Sequence, residues 1–202
     1  MKWYRPIACD HTVKNPLVCE ASNFDKYDNW GMGPYRVENY FFRGTVIENW
    51  PEDVYVTTLK EKNDGDPDDV LQNKDMIPIF SKRLVEAIQA SNIDGFQFLP
   101  ITVLNYKQES VGEFFIANCT IMFDAFDYEK STYWRFPADF PNPEARGLVN
   151  CSKFVLHKEL LDGHDVFRME GQRRAYFVSE KFVKLFKKGH FTGYSFKQVE
   201  LS

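Results

Sequence analysis

The sequence predicts an α+β fold, a mixed or mainly antiparallel sheet with a few short helices, including two repeated strand–helix–strand units at about 77–103 and 175–201. Two observations carry this expectation. The residues around Ser81 return around Ser179 with the same types at the same spacing. Elsewhere, short runs of β-branched and aromatic residues are broken by Gly, Pro, Asn and Asp, as strands are broken by turns.

Placing residues 80–85 (FSKRLV) over 178–183 (VSEKFV) starts an ungapped alignment at an offset of 98. Ser81 meets Ser179, Leu84 meets Phe182, Val85 meets Val183, and Ile88 meets Phe186. Ile93 meets Phe191, Gly95 meets Gly193, Phe96 meets Tyr194, Phe98 meets Phe196, and Ile101 meets Val199. Each match has a physical role. Serine at a helix N-cap accepts from orphan backbone N–H groups. The apolar positions recur at helical spacing and define a core face. Glycine permits a tight or left-handed backbone before the next strand. Such units need neighbours to cover their apolar faces, so both copies are expected to dock on a common sheet.

The remaining elements follow in chain order. Residues 1–7 and 40–47 predict strands, 23–35 a loop, and 54–59 (VYVTTL) a strand. Residues 60–75 are the most polar stretch, with Asp64, Asp66, Asp68 and Asp69 around Gly65 and Pro67, and read as an exposed loop or linker. Residues 77–80 are a short apolar run, Ser81 caps a helix that ends before Gly95, and 96–101 form a strand in which Pro100 argues for an edge or bulge. A turn at 106–112 precedes a strand or bent pair over 113–124. Residues 126–146 read as irregular, with Pro137, Pro141 and Pro143. Strands are expected at 148–156, 166–169 and 174–178. One domain is expected over 1–202. Within it, a β-rich region at residues 1–60 and a second region at residues 76–202 are joined by the acidic loop.

Composition bounds the function. The chain has 202 residues, 44% hydrophobic and 27% charged, which is ordinary for a globular protein. Aromatics reach 16%, with nineteen Phe, ten Tyr and four Trp, and fill cores or interfaces. Net charge is −4, with eleven Lys/Arg against sixteen Asp/Glu in residues 1–101. No dominant positive field suits nucleic acid. No run approaches the ~20 apolar residues of a membrane helix. The first residues lack a signal-peptide core, so a cytoplasmic location with reduced thiols is expected.

Motifs for catalysis or metal are weak. Cys9, His11 and Cys19 lack a fourth ligand at a recognised spacing. Asp64, Asp66 and Asp68 open like a calcium loop, but Asp69 stands where glycine is needed and Asp75 where glutamate is needed. Asp162, His164 and Asp165 place an imidazole among carboxylates. The candidates are therefore acid–base chemistry there or a turn at Asp162-Gly163. No nucleophile elbow or phosphate-binding glycine motif is present. No cofactor and no metal is expected.

Several segments together resemble a known family. Residues 77–103 (IPIFSKRLVEAIQASNIDGFQFLPITV), 113–127 (EFFIANCTIMFDAFD), 164–171 (HDVFRMEG) and 176–201 are similar in order and spacing to the polymorphic-toxin immunity family called immunity protein eleven. The motif positions are Ser81 with Asp94, Gly95, Phe96, Gln97 and Phe98; Phe167 with Arg168; and Ser179, Glu180, Gly193, Tyr194 and Phe196. The resemblance covers about 76–201 and fades in the first seventy residues. It implies a bacterial cytoplasmic protein without catalysis, whose partner is a cognate toxin domain neutralised by occlusion. It supplies no site residues. From charge and residue type alone, the expected contacts are Asp64, Asp66, Asp68 and Asp69, with Tyr27, Trp30 and Tyr35 as aromatic anchors. The alternatives are a small enzyme using His164 with Asp162 or Asp165, and a scaffold or regulatory module whose two repeats hold one partner.

Overall fold

Residues 1–8, 18–22, 41–58, 67–73 and 76–202 are described by a computed structural model, with 18–22 and Glu144 described by backbone alone. The expected loop at 23–35, the residues 59–66 and 74–75, and Cys9 and His11 lie outside the described residues.

The chain opens with β1 (Trp3–Ala8), rich in residues that favour strands. β2 (Val18–Ser22) pairs antiparallel with β3 (Tyr55–Thr58), the strand expected at 54–59. Where it is described, the strand expected at 40–47 is not extended. Phe41 and Phe42 occupy a short helical turn, and both rings enter one core. Adjacent strand residues point to opposite faces, so a strand could not send both rings into one core.

The polar stretch also differs from its exposed reading where it is described. β4 (Val70–Asn73) begins there and pairs antiparallel with β5 (Ile79–Ser81). Asp68 is 3% exposed and Asp69 6%. One Asp68 oxygen has no partner among the described residues. Burial raises the Asp68 pKa above the ordinary carboxylate value, against a hydrogen bond from Thr192 and with help from the Asp69 charge. A carboxyl with a raised folded pKa binds more protons folded than unfolded. Its contribution to stability therefore falls as pH rises from the unfolded value through the folded one. Asp68→Asn is expected to stabilise the protein at pH 7, with the gain vanishing in acid. Urea melts at pH 7 and pH 4 check it, and a gain that is equal at both sinks the idea.

Ser81 caps α1 (Lys82–Ala90), its Oγ accepting from the N–H of Leu84. Helix α1 buries Leu84, Val85 and Ile88, each contributing roughly 1.5–3 kcal/mol. β6 (Phe96–Leu104) pairs antiparallel with β7 (Ser110–Cys119) and, from Thr102 onward, parallel with β3. Pro100 falls before that second pairing begins, and its carbonyl accepts instead from the Trp50 indole at 2.7 Å. β8 (Met122–Phe123) follows, so the residues expected as one strand or a bent pair hold two strands that lie in different sheets.

The residues expected to be irregular hold β9 (Thr132–Arg135), paired antiparallel with β10 (Val149–Lys153). β11 (Val155–Leu156) follows, then β12 (Val166–Met169), β13 (Gln172–Ser179) and α2 (Glu180–Lys188). β14 (Tyr194–Gln198) and β15 (Glu200–Leu201) end the chain, β15 lying parallel to β11.

The two copies do not share a sheet. One belongs to six strands closed in the order β2-β3-β6-β7-β5-β4, the other to a five-stranded sheet in the order β14-β1-β13-β12-β8. Within these the local order is the same. β4-β5-β7-β6 corresponds to β12-β13-β1-β14, and a strand stands between the two that flank each helix. In the first unit that strand is β7, from just downstream. In the second it is β1, from the far end of the chain. The apolar faces between the units explain why separate sheets suffice. Phe80, Leu84, Val85, Ile88, Phe182, Val183 and Phe186 form one shared core, so each copy covers the other face to face rather than edge to edge.

The contacts between the copies are reciprocal. Arg83, at the start of α1, donates to the carbonyl of Gly189 at the end of α2 (3.0 Å). Lys181, at the start of α2, donates to the carbonyl of Asn92 just beyond α1 (2.8 Å). The helices therefore run antiparallel, each cation meeting the negative end of the other helix dipole. Asn92 and His190, at matched positions, both take φ near +50°. A second apolar cluster fills the closed sheet around Phe41, Val56, Leu99 and Ile116, and a third covers the other face of the five-stranded sheet around Trp3, Phe167 and Phe177.

Candidate functional site

Each unit is framed by an aspartate that spacing did not single out as a partner of its serine. Asp69 accepts from Ser81 Oγ at 2.7 Å, from Arg83 Nη2 at 2.5 Å and from the Thr192 N–H at 3.0 Å. Asp165 accepts from Ser179 Oγ at 2.7 Å and Lys181 Nζ at 2.8 Å. The backbone N–H of each serine also donates to the carbonyl of its aspartate at 2.8 Å. Asp69 is thus occupied in holding the first helix, and Asp165 in holding the second. Asp64, Asp66, Tyr27, Trp30 and Tyr35 lie outside the described residues.

The Asp162, His164 and Asp165 group does not converge on a shared proton. Asp162 is exposed, Asp165 gives both oxygens to Ser179 and Lys181, and the His164 ring packs 5.0 Å from Phe123. Among the described residues no group of three or more His, Cys, Asp or Glu could hold a metal ion. No helix among them is long and apolar enough to cross a membrane.

The strongest surface feature is the β9–β10 hairpin. All four residues of β9 are exposed, with Trp134 at 53%. Pairing alternates Tyr133 against Cys151 and Trp134 against Asn150. The chain between the two strands folds back on itself. Phe136 N–H donates to Leu148 O (2.9 Å), Arg146 Nε to Phe140 O (2.8 Å) and Arg135 Nη1 to Gly147 O (2.8 Å). Trp134 meets Phe136 edge to face at 4.4 Å between ring centroids, and Phe136 meets Phe140 the same way at 4.8 Å. The result is an aromatic ridge, Trp134 exposed and Phe136 and Phe140 half-buried, on a backbone-bonded frame with arginines beside it. Such residues are the usual anchors of protein interfaces. The prolines hid this hairpin. The signal that could have found it is Thr132-Tyr133-Trp134-Arg135, four residues suited to an extended chain.

Beneath the ridge lies a cavity of about 1050 Å³. Phe136 and Phe140 line it, with Arg5 from β1, Arg173, Arg174 and Tyr176 from β13, and Tyr194 from β14. Behind that wall sits Arg168, fully buried at a β12 position where period-two alternation calls for an apolar residue. Its Nη1 donates to the carbonyls of Arg173 (2.8 Å) and Arg174 (3.3 Å), and its guanidinium lies 4.9 Å over the Phe42 ring. Among the described residues its Nε and Nη2 have no hydrogen-bond partner, and neither does Arg173 Nε. Burial lowers the Arg168 pKa from its usual value, though an arginine keeps its proton at neutral pH. Burial pushes the Tyr194 hydroxyl up to about 12 and that of Tyr176 well above its usual value, so both remain protonated donors.

Compared with known proteins, residues 4–201 match a family model described as Immunity protein family (Imm11). The match reaches well into the N-terminal residues, where the motif resemblance fades. The sheet explains why: β1 pairs with both β13 and β14, so the second unit is incomplete without it. No curated protein matches the chain.

Proposed function

The chain belongs to the Immunity protein family (Imm11), and on that premise we propose that it binds a cognate bacterial toxin domain and neutralises it by covering the toxin's working surface. The family match over residues 4–201 is the observation that carries this reading. Inhibition by occupancy needs no cofactor and no catalytic group on this chain. It needs a stable face with anchors, and a location in the cytoplasm where the incoming toxin acts.

Two regions are offered as contacts. The acidic segment supplies Asp64 and Asp66, with Asp68 and Asp69 anchoring its C-terminal end, and Tyr27, Trp30 and Tyr35 supply aromatic anchors. Charge complementarity of this kind speeds encounter with a basic partner. The exposed ridge supplies Trp134, whose ring is held in place by Phe136 before binding. A pre-positioned aromatic loses little side-chain freedom on docking.

Co-expression with the toxin domain encoded beside this chain tests the reading. Growth is expected to be rescued, and arrest despite full expression overturns the reading for that pair. Trp134→Ala is expected to weaken toxin binding by about 30-fold, the size of a hot-spot loss of ~2 kcal/mol, with the melting temperature unchanged. Titration calorimetry reads it, and unchanged affinity removes the ridge from the interface.

A further inference from the structure

We propose that the cavity beneath the β9–β10 hairpin binds a small molecule with an apolar or aromatic body and an anionic group, a carboxylate, sulfonate or phosphate ester. The proposal does not rest on toxin binding. Three observations converge on it.

The first is charge. Arg5, Arg173 and Arg174 line the cavity, and among the described residues no Asp or Glu does. In a chain with a net charge of −4, a concave wall with cations alone is a local reversal of sign. Low-dielectric walls focus the field of such a wall into the space it encloses.

The second is unmet hydrogen bonding. Buried donors are almost always paired. Here Arg168 Nε and Nη2 and Arg173 Nε gather in one region without a partner among the described residues. Among the described residues the groups acting on the Arg168 charge are Cys119, Tyr176 and Tyr194, none of them a carboxylate. A buried arginine without an acid is costly unless something else brings the countercharge. Tyr176, Arg173 and Arg174 line the cavity, and Arg168 lies directly behind them, its Nη1 bonded to the carbonyls of both lining arginines.

The third is shape and lining. A volume of about 1050 Å³ lies at the upper end of small-molecule sites. Phe42, Phe136 and Phe140 supply flat apolar walls for a ligand body, and the arginines supply forked donors that suit a planar or tetrahedral anion.

The probe is 8-anilinonaphthalene-1-sulfonate, titrated into the full chain and followed by fluorescence, with its uncharged counterpart N-phenyl-1-naphthylamine alongside. Saturable binding at one site is expected for the sulfonate. The Arg173→Gln/Arg174→Gln variant is expected to weaken the sulfonate by about tenfold or more and leave the uncharged dye unchanged. Arg5→Gln, on the neighbouring strand β1, provides a second variant if the double substitution melts early. No saturable binding of the sulfonate overturns the proposal. So does equal weakening of both dyes, which marks an apolar patch without anion recognition. So does sulfonate binding that no arginine substitution alters.

Discussion

Gly193→Ala is expected to lower stability by about 4 kcal/mol, the sum of a positive-φ penalty near 1 kcal/mol and an overpacking cost of up to ~3 kcal/mol. Gly193 has φ +99°, and a Cβ there would stand 2.3 Å from the Val70 carbonyl oxygen and 2.9 Å from Val70 Cβ. Those atoms belong to β4 of the other unit, and the Val70 N–H is already bonded to Thr192 O at 3.1 Å. The strand cannot retreat without breaking that bond. Gly163→Ala is the control: φ is +85° with open space around the site, so only the backbone penalty of ~1 kcal/mol remains. For a chain of this length each kcal/mol shifts the melting temperature by about 2–4 °C, so the two variants should separate by roughly 10 °C. Gly95→Ala, whose Cβ would meet Val166 O at 2.9 Å, should fall between them. Equal melting of Gly193→Ala and Gly163→Ala would show that the units are not packed this closely.

Asp69→Ala is expected to cost about 3 kcal/mol, the lower end for breaking a buried ionic network, because Arg83 is 59% exposed on its side chain and solvent screens that arm. The carboxylate joins three segments. It takes Ser81 Oγ from the helix cap, Arg83 from the first turn, and the Thr192 N–H from the loop before β14. Removing it leaves the Thr192 N–H without this acceptor and frees the serine that caps α1. Asp165→Ala removes a carboxylate with fewer donors, Ser179 and Lys181, and should cost less, about 2 kcal/mol. Denaturant melts of the two variants and their double give the ordering. If Asp165→Ala proves the more damaging, the cross-unit bond to Thr192 is not the dominant one.

Helices and their ends were legible in the sequence because they are local. Ser81 and Ser179 sit three residues before the N–H groups their hydroxyls cap, Leu84 and Phe182 follow at helical spacing, and Gly95 and Gly193 take the left-handed backbone that glycine tolerates. The strands at 54–59 and 166–169 were legible for the same reason. The strand expected at 40–47 was not, because Phe41 and Phe42 answer to a core built from distant strands. Where it is described, the polar run misled for a related reason. Asp68 and Asp69 look solvated until Thr192, more than a hundred residues away, is placed beside them.

The same limit governs the candidate site. Phe167 and Arg168 stood out as a motif, yet nothing adjacent to Arg168 in the chain says that its guanidinium will be fully buried. That follows only once β12 is laid against β13 and Phe42 is brought over it. The cavity has no sequence signature either, since its arginines come from β1 and β13 and its aromatic rim from the excursion between β9 and β10.

By itself, then, the sequence determined the α+β class, the two capped helices, the glycine turns and the family, because each rests on residues within one short segment or on their order along the chain. The tertiary structure alone decided that the two units stand in separate sheets facing one another, that β1 closes the second as β7 closes the first, and that arginine donors gather behind one cavity. Those outcomes depend on strand pairing across large sequence separations, and a backbone hydrogen bond carries no label for its distant partner.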